Sequence, residues 1–143
     1  MKKLSLLVIA LCITCGSASA QQALFGGQMP QSPEIHADKT VTFRCMAPGA
    51  QKVQITGDFL PTRKIDTPMG KFDAPGVADL TKDDKGVWSY TTTSPLSPEL
   101  YSYTMMVDGA SVTDHLNVYT VRDINNVSNI FLVDGGKADL YKG

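Results

Sequence analysis

Apolar and polar side chains alternate along several short segments of this chain, and this alternation limits its fold more than any other feature. In residues 40–46 (TVTFRCM), Val41 and Phe43 face one way and the polar residues between them face the other. Residues 52–59 (KVQITGDF) repeat the pattern with Val53 and Ile55. Because successive side chains of a strand point to opposite faces, both segments are predicted to be half-buried strands.

Further strand and turn signals follow at short intervals. Residues 78–92 (ADLTKDDKGVWSYTT) predict a strand, a turn at DDKG and a second strand. Residues 87–109 predict two strands joined as a hairpin by a proline-containing turn, and residues 128–133 predict the last strand. In the segment 100–109, one face carries the side chains that we expect to point inward, namely Tyr101, Tyr103, Met105 and Val107.

No segment after residue 20 has the 3.6-residue period of a long amphipathic helix. The pattern therefore predicts an all-β fold, an immunoglobulin-like sandwich of seven to eight strands over residues 39–134. Residues 60–77 contain three prolines and two glycines and are predicted to be a long irregular loop, of the kind that is usually functional or mobile. Residues 135–143 (GGKADLYKG) are predicted to trail off without a regular element.

The first twenty residues are typical of a secretory signal peptide. Two lysines precede an apolar run, and Ala18-Ser19-Ala20 is a small-residue cleavage pattern. Processing as a lipoprotein at Cys12 or Cys15 is the alternative, although neither cysteine has a good lipobox before it. We therefore expect a secreted or periplasmic protein, with an extended leader over residues 21–38.

Composition excludes several kinds of function. Loss of residues 1–20 would change the formal net charge from −1 to −3 and leave no basic run, so neither nucleic acid nor a membrane is an expected partner. Cys45 would then be the only cysteine, and its place in an alternating strand indicates a small buried side chain. The two histidines, His36 and His115, are far apart and have no zinc spacing around them, so no metal or other cofactor is expected. Since a Gly-x-Ser-x-Gly elbow is also missing, the sequence predicts no catalytic residues.

The remaining possible function is recognition of a ligand at the protein surface, where aromatic side chains often provide the contact. For most of the candidates, burial in the core is the simpler interpretation, and Trp88 in particular is expected to be a core residue. Tyr119 is equally compatible with either role. The candidates are Phe59, Phe72, Trp88, Tyr90, Tyr119 and Phe131.

Four stretches resemble, in order and approximate spacing, carbohydrate-binding module family 48, the early-set domain of glycogen-branching and debranching enzymes. They are ITGDF, GVWSYTT, LSPELYSYTMMVDG and DHLN, and the resemblance covers about residues 39–133. Longer stretches, including SPEIHADKTVTFR and NVSNIFLVDGG, resemble the module that precedes the α/β-hydrolase domain in secreted Bacteroidales esterases of carbohydrate esterase family 1. Those enzymes include feruloyl and acetyl xylan esterases. The resemblance implies that residues 135–143 are the start of the linker to a missing catalytic domain, so that the module is present here without the esterase domain.

The resemblance implies a sugar site, from which this sequence departs. Starch-binding members carry a Trp after the GDF motif, a Lys on the Tyr-x-Tyr strand and an Asn after a DP turn. Here no Trp follows Phe59, Thr104 stands at the Lys position, and the turn is Asp114-His115 with Asn117 after it. The candidate ligand-binding residues are thus Phe59, Thr104, Asp114, Asn117 and Tyr119, and contacts from residues 60–77 are an alternative.

Two functions follow from these observations and the resemblance. The first is a non-catalytic glycan-binding or positioning module of a secreted hemicellulose esterase, with a xylan-type polysaccharide and the esterase catalytic domain as partners. The second is a purely structural domain that docks on an α/β-hydrolase esterase domain and orients it. An exposed apolar patch along Met106, Val118 and Tyr119 would favour the second.

Overall fold

The computed structural model describes residues 29–142. The predicted signal peptide, residues 1–20, and residues 21–28 of the predicted leader lie outside the described residues. One 3₁₀ helix (Gly136–Tyr141) follows the last strand. The strands are β1 (Glu34–Ile35), β2 (Val41–Met46), β3 (Val53–Gly57), β4 (Arg63–Thr67), β5 (Gly70–Ala74), β6 (Gly76–Asp79), β7 (Thr81–Lys82), β8 (Val87–Thr91), β9 (Leu100–Val107), β10 (Ala110–Val112), β11 (Thr120–Arg122) and β12 (Val127–Leu132).

The strands form two antiparallel sheets and a separate two-stranded ribbon. The first sheet has the order β1-β2-β8-β7. The second has the order β11-β12-β9-β3-β6, and β10 also pairs with β9. The ribbon consists of β4 and β5 alone. This architecture confirms the predicted all-β sandwich.

The core lies between the two sheets and comes from the predicted alternation. Val41 and Phe43 of the first sheet and Val53 and Ile55 of the second are all completely buried. Burying a side chain of this size stabilises the fold by about 1.5–3 kcal/mol. Trp88 is also buried, as the sequence predicts, and its indole N–H donates to the carbonyl of Ala47 at 2.8 Å.

Aromatic rings fill one end of this core. Phe43 stacks on Phe59 with 5.0 Å between ring centroids and meets the edge of Tyr103 at 4.9 Å. Phe131 packs against both Phe43 and Tyr103. The prediction that Tyr103 points inward is therefore confirmed, whereas Tyr101 on the same face is only half-buried.

The predicted hairpin over residues 87–109 is wrong. Strand β8 lies in the first sheet and pairs with β2 and β7, whereas β9 lies in the second sheet between β3 and β12. The proline-containing connection carries the chain across the sandwich instead of turning it back within one sheet. Local alternation is the same in both arrangements, so it could not distinguish them.

The prediction of a single irregular loop over residues 60–77 is also wrong. Each of its three prolines lies outside the strands: Pro61 before β4, Pro68 in the turn, and Pro75 between β5 and β6. Proline is excluded from a strand only where its backbone N–H would have to donate to a neighbouring strand. The segments between the prolines can therefore pair with each other as β4 and β5.

Regular structure also extends beyond residues 39–134 on both sides. Strand β1, in the predicted leader, pairs with β2 through Glu34 opposite Thr42. In the predicted linker, Ala138 of the 3₁₀ helix is completely buried. Within residues 29–142, no helix is long and apolar enough to span a membrane.

Candidate functional site

A buried polar network surrounds Asp114, one of the predicted ligand-binding residues. The carboxylate is only 4% exposed. One of its oxygens accepts hydrogen bonds from the hydroxyls of Ser32, at 2.6 Å, and Tyr103, at 2.8 Å. The other accepts from the backbone N–H of Leu116 at 2.9 Å. Since these donors all belong to the chain itself, the carboxylate is already engaged without a ligand.

Asn117, a second predicted ligand-binding residue, belongs to the same network. Its amide N–H groups donate to the Tyr103 hydroxyl at 3.1 Å and to the carbonyl of Ile130 at 2.9 Å. Its amide oxygen accepts from the N–H of Tyr119 at 3.0 Å. The side chain is 7% exposed, so its polar atoms face the protein interior.

Asn129 of β12 completes the network, and sequence analysis did not select it. This completely buried side chain donates to the carbonyls of Asp114 and Asn117 and accepts from the N–H of Asp114. The asparagine thus fixes the backbone of residues 114–117 on the sheet. The only feature of the sequence that could have pointed to Asn129 is its position: it is a polar residue at an inward-facing position of a strand.

The network changes the acid–base properties of its neighbours. Burial, together with the negative charge of Asp114, raises the pKa of Tyr103 far above its usual value. Burial, and then the same charge, raises the pKa of the Cys45 thiol. Both groups are therefore held in their neutral forms, which suits structural roles better than proton transfer or nucleophilic attack.

The other predicted site residues lie in different surroundings. Phe59 is half-buried and stacks on Phe43 in the core. Thr104 is 8% exposed, whereas Tyr119 is 69% exposed. Of the five predicted residues, only Tyr119 therefore presents most of its side chain to a partner. Whether any of the five contacts a glycan stays a prediction.

Tyr119 lies on an open groove of about 750 Å³ between the β1 end of the first sheet and the β11–β12 edge of the second. Two of its lining residues, Ile35 and Tyr141, are exposed and were not selected from the sequence. Tyr141 was missed because its segment was predicted to trail off. The lining residues are Gln31, Ser32, Pro33, Ile35, Leu100, Leu116, Asn117, Val118, Tyr119, Ile130, Phe131, Leu132 and Tyr141.

Among the described residues, the nearest approach to a catalytic arrangement is on the outer face of the first sheet. His36 Nε2 lies 2.7 Å from the hydroxyl of Thr42, which in turn lies 2.8 Å from the hydroxyl of Thr91. Glu34 is 3.9 Å from His36 Nδ1 and forms an ion pair with Arg44 at 2.6 Å. Thr42 is 6% exposed, so the hydroxyl serves as a cross-strand contact. No group of three or more acidic, histidine or cysteine side chains that could hold a metal occurs within residues 29–142.

Comparison with solved structures shows the same fold in larger proteins. A pullulanase type I from Bacillus subtilis, complexed with maltose, aligns with 83% of this chain at a TM-score of 0.51 and 17% identity. The Group B Streptococcus pullulanase SAP aligns with 79% at a TM-score of 0.51 and 16% identity. The chain spans only 15% and 16% of these two proteins.

A family model gives the more specific result. Residues 27–121 match carbohydrate-binding module 48, described as the isoamylase N-terminal domain. No curated protein sequence matches the chain. Modules of this family are non-catalytic binding modules. Because the match covers most of its length, this chain belongs to the carbohydrate-binding module 48 family.

Proposed function

We propose that this chain is the non-catalytic module of a secreted hemicellulose esterase, and that its main task is to hold and orient the catalytic domain. The groove beside Tyr119 is the observation that carries this proposal. Val118 is 83% exposed and Tyr119 69% exposed on its rim, where a protein partner could cover them. Exposed apolar surface of this kind is typical of interaction sites. Met106, the third residue of the predicted patch, is half-buried and does not line the groove.

The chemistry of the groove favours a protein surface over a sugar. None of its described lining residues is charged, and most are apolar. The amide of Asn117 and the hydroxyl of Ser32 are already bonded within the buried network. A sugar needs several polar partners for its hydroxyls, whereas an uncharged protein surface needs mainly shape and apolar area.

The position of the 3₁₀ helix agrees with this role. Tyr141 lines the groove and Ala138 of the same helix is completely buried, so residues 136–141 are held against the module. If a catalytic domain follows this helix in the chain, its connection to the module begins beside the groove. A short connection would give that domain a high effective concentration there.

The esterase context is supported by the resemblance of residues 32–44, 51–59 and 96–109 to the module of secreted carbohydrate esterase family 1 enzymes. The pullulanases share the fold at 17% identity or less, which does not identify a catalytic partner. Secretion is supported by the signal peptide pattern in residues 1–20.

Calorimetric titration of the mature chain with the α/β-hydrolase domain of such an esterase tests the proposal. We expect saturable binding that Val118→Asp weakens at least tenfold, because a charge on the rim would be buried on docking. Met69→Asp is the matched control: Met69 is 88% exposed but does not line the groove, so binding should be unchanged. Absence of binding by the unmodified chain, or equal effects of the two substitutions, would overturn the proposal.

Binding of a xylan-type chain is the second candidate function, favoured by family membership and by the exposed ring of Tyr119. A ring covering ~100 Å² of sugar contributes roughly 2.5 kcal/mol, whereas millimolar affinity needs about 4.1 kcal/mol. One tyrosine is therefore insufficient and further contacts are required. Retardation in native gels containing arabinoxylan, reduced by Tyr119→Ala, would support this candidate, and equal migration with and without the polysaccharide would exclude it.

A further inference from the structure

One wall of the groove is formed by an N-terminal strap, residues 29–35, which lies in the predicted leader. The facing wall contains residues 116–119 and part of β12. The shape of the groove therefore depends on how the strap is held against the rest of the module. The strap residues that line the groove are Gln31, Ser32, Pro33 and Ile35.

Backbone pairing alone holds this strap weakly. Strand β1 pairs with β2 through two residue pairs, Glu34 with Thr42 and Ile35 with Val41. Residues 29–33 belong to no strand or helix. A segment with so few backbone hydrogen bonds opens locally at a low cost in free energy unless side chains fix it in place.

The side chain of Ser32 provides a buried attachment for the strap. It is 4% exposed, and its hydroxyl donates to Asp114 Oδ2 at 2.6 Å. Its oxygen also accepts from the backbone N–H of Arg44 at 3.0 Å. Because the acceptor is a buried carboxylate, the bond to Asp114 belongs to the stronger, charge-assisted class of hydrogen bonds. One side chain thus connects the strap both to β2 and to the network around Asp114.

The side chain of Arg44 provides a second, more exposed attachment. Its Nη1 donates to the carbonyl of Gln31 at 2.9 Å and forms an ion pair with Glu34 at 2.6 Å. Both charged side chains are partly exposed, so solvent weakens this ion pair. The bond from Ser32 to Asp114 is therefore the stronger of the two attachments.

Asp114 connects the strap to the facing wall of the groove. One carboxylate oxygen accepts from Ser32, and the other accepts from the backbone N–H of Leu116 at 2.9 Å. The backbone of Asp114 is itself fixed, since its N–H donates to Asn129 at 2.6 Å and its carbonyl accepts from the same amide at 3.0 Å. Loss of the Ser32 hydroxyl would therefore release the strap and leave the facing wall in place.

We infer that Ser32 and Asp114 are positioning residues of the groove, which hold the strap as a preformed wall for the docking partner. The inference rests on the proposed function, in which that partner is the esterase catalytic domain. It also gives a role to Asp114, a position that the resemblance assigns to sugar contact. A preformed wall favours binding because the conformational entropy of ordering the strap is not lost on docking.

Two measurements on the mature chain test this inference: hydrogen exchange of the free chain, and calorimetric titration with the α/β-hydrolase domain of a carbohydrate esterase family 1 enzyme. In Ser32→Ala we expect faster exchange in residues 34–35 and unchanged exchange in β3. Binding of the catalytic domain should be about fivefold weaker, since only chains with the strap in place are competent to bind. Arg44→Met, which removes the second attachment, should change both readouts in the same direction.

Thr40→Val is the matched control for Ser32→Ala. Its hydroxyl also donates to a carboxylate at 2.6 Å, that of Asp38, but this bond is exposed and lies outside the strap. Exchange in residues 34–35 and binding of the catalytic domain should therefore match those of the unmodified chain.

The outcomes distinguish this inference from the proposed function. Absence of binding by the unmodified chain would overturn both. If the unmodified chain and Ser32→Ala bind equally well, the docking role of the strap is overturned and the proposed function stands. Faster exchange in β3 as well as in the strap would show that Ser32 stabilises the whole fold instead of one wall, which would also overturn the inference.

Discussion

The hydroxyl of Tyr103 provides the sharpest test of the buried network around Asp114. Replacement by phenylalanine keeps the ring, which packs against Phe43 and Phe131 at centroid distances of 4.9 and 5.8 Å. It removes the donor to the Asp114 carboxylate at 2.8 Å and the acceptor for Asn117 at 3.1 Å. The substitution thus changes the hydrogen bonding of the network with little change in packing.

The loss of stability expected for Tyr103→Phe follows from the negative charge of the acceptor, the Asp114 carboxylate. A hydrogen bond to a charged group contributes about 1.5–3 kcal/mol, and a buried group left short of a partner costs a similar amount. Asp114 keeps its bonds to Ser32 and to the N–H of Leu116, and Asn117 keeps its bond to Ile130. We therefore expect Tyr103→Phe to lower the free energy of unfolding by about 2 kcal/mol, and Tm by roughly 8 °C.

Urea unfolding at neutral pH, with Tyr101→Phe as the control, measures this effect. The hydroxyl of Tyr101, on the same strand, donates to the Ser97 carbonyl at 2.9 Å in an exposed position, so its loss should cost less than about 0.5 kcal/mol. Equal effects of the two substitutions would refute the assignment of Tyr103 to a buried charged network.

The pH dependence gives a second readout of the same substitution. The folded protein raises the pKa of Tyr103, so the unfolded chain releases this proton at a lower pH than the folded one. The stabilisation is therefore complete below about pH 10, the ordinary value of tyrosine, and is lost as the pH rises above it. The decline in stability above this pH should be shallower in Tyr103→Phe, and an identical decline would contradict the burial of the phenol.

Further predictions concern the ribbon base and the free cysteine. Gly76→Ala should lower the free energy of unfolding by about 1–3 kcal/mol in thermal melts, because its Cβ would meet backbone atoms of Pro61. Gly49→Ala, where a Cβ would meet nothing within 4 Å, should change it by less than about 0.5 kcal/mol, and similar losses at both sites would contradict the close contact. In a chain that begins at Gln21, Cys45 should react with a thiol reagent far more slowly when folded than in denaturant, since burial raises its pKa, and equal rates would show that the thiol is accessible.

Local alternation predicted the parts of the fold that depend on a single strand. The side chains of β2 and β3 that the pattern predicts to face inward are buried, and so is Trp88. The partners of β8 and β9 were predicted wrongly, because the same alternation fits two strands of one sheet and two strands of opposite sheets. The ribbon in residues 60–77 was not predicted because three prolines suggest an irregular segment. The prolines all lie outside the paired residues of β4 and β5, so they remove no hydrogen bond between these strands.

The candidate site was harder to predict because polar side chains do not reveal their partners. Asp114 and Asn117 have the residue types of sugar ligands, yet the structure pairs them with Tyr103, Ile130 and Ser32. Ser32 is 82 positions from Asp114 in the sequence, and no local pattern links the two. The groove likewise combines residues from both ends of the described chain, so its apolar character becomes visible only after folding.

Hydrogen exchange of the mature chain, alone and with the carbohydrate esterase family 1 catalytic domain, tests most directly whether this module holds an enzyme through its groove. The account predicts slower exchange on binding in residues 31–35, 116–119 and 130–132, the segments that contain most of the groove's lining residues, and unchanged exchange in the ribbon. Slower exchange in the ribbon alone, or none anywhere at saturating concentrations of the catalytic domain, would contradict it.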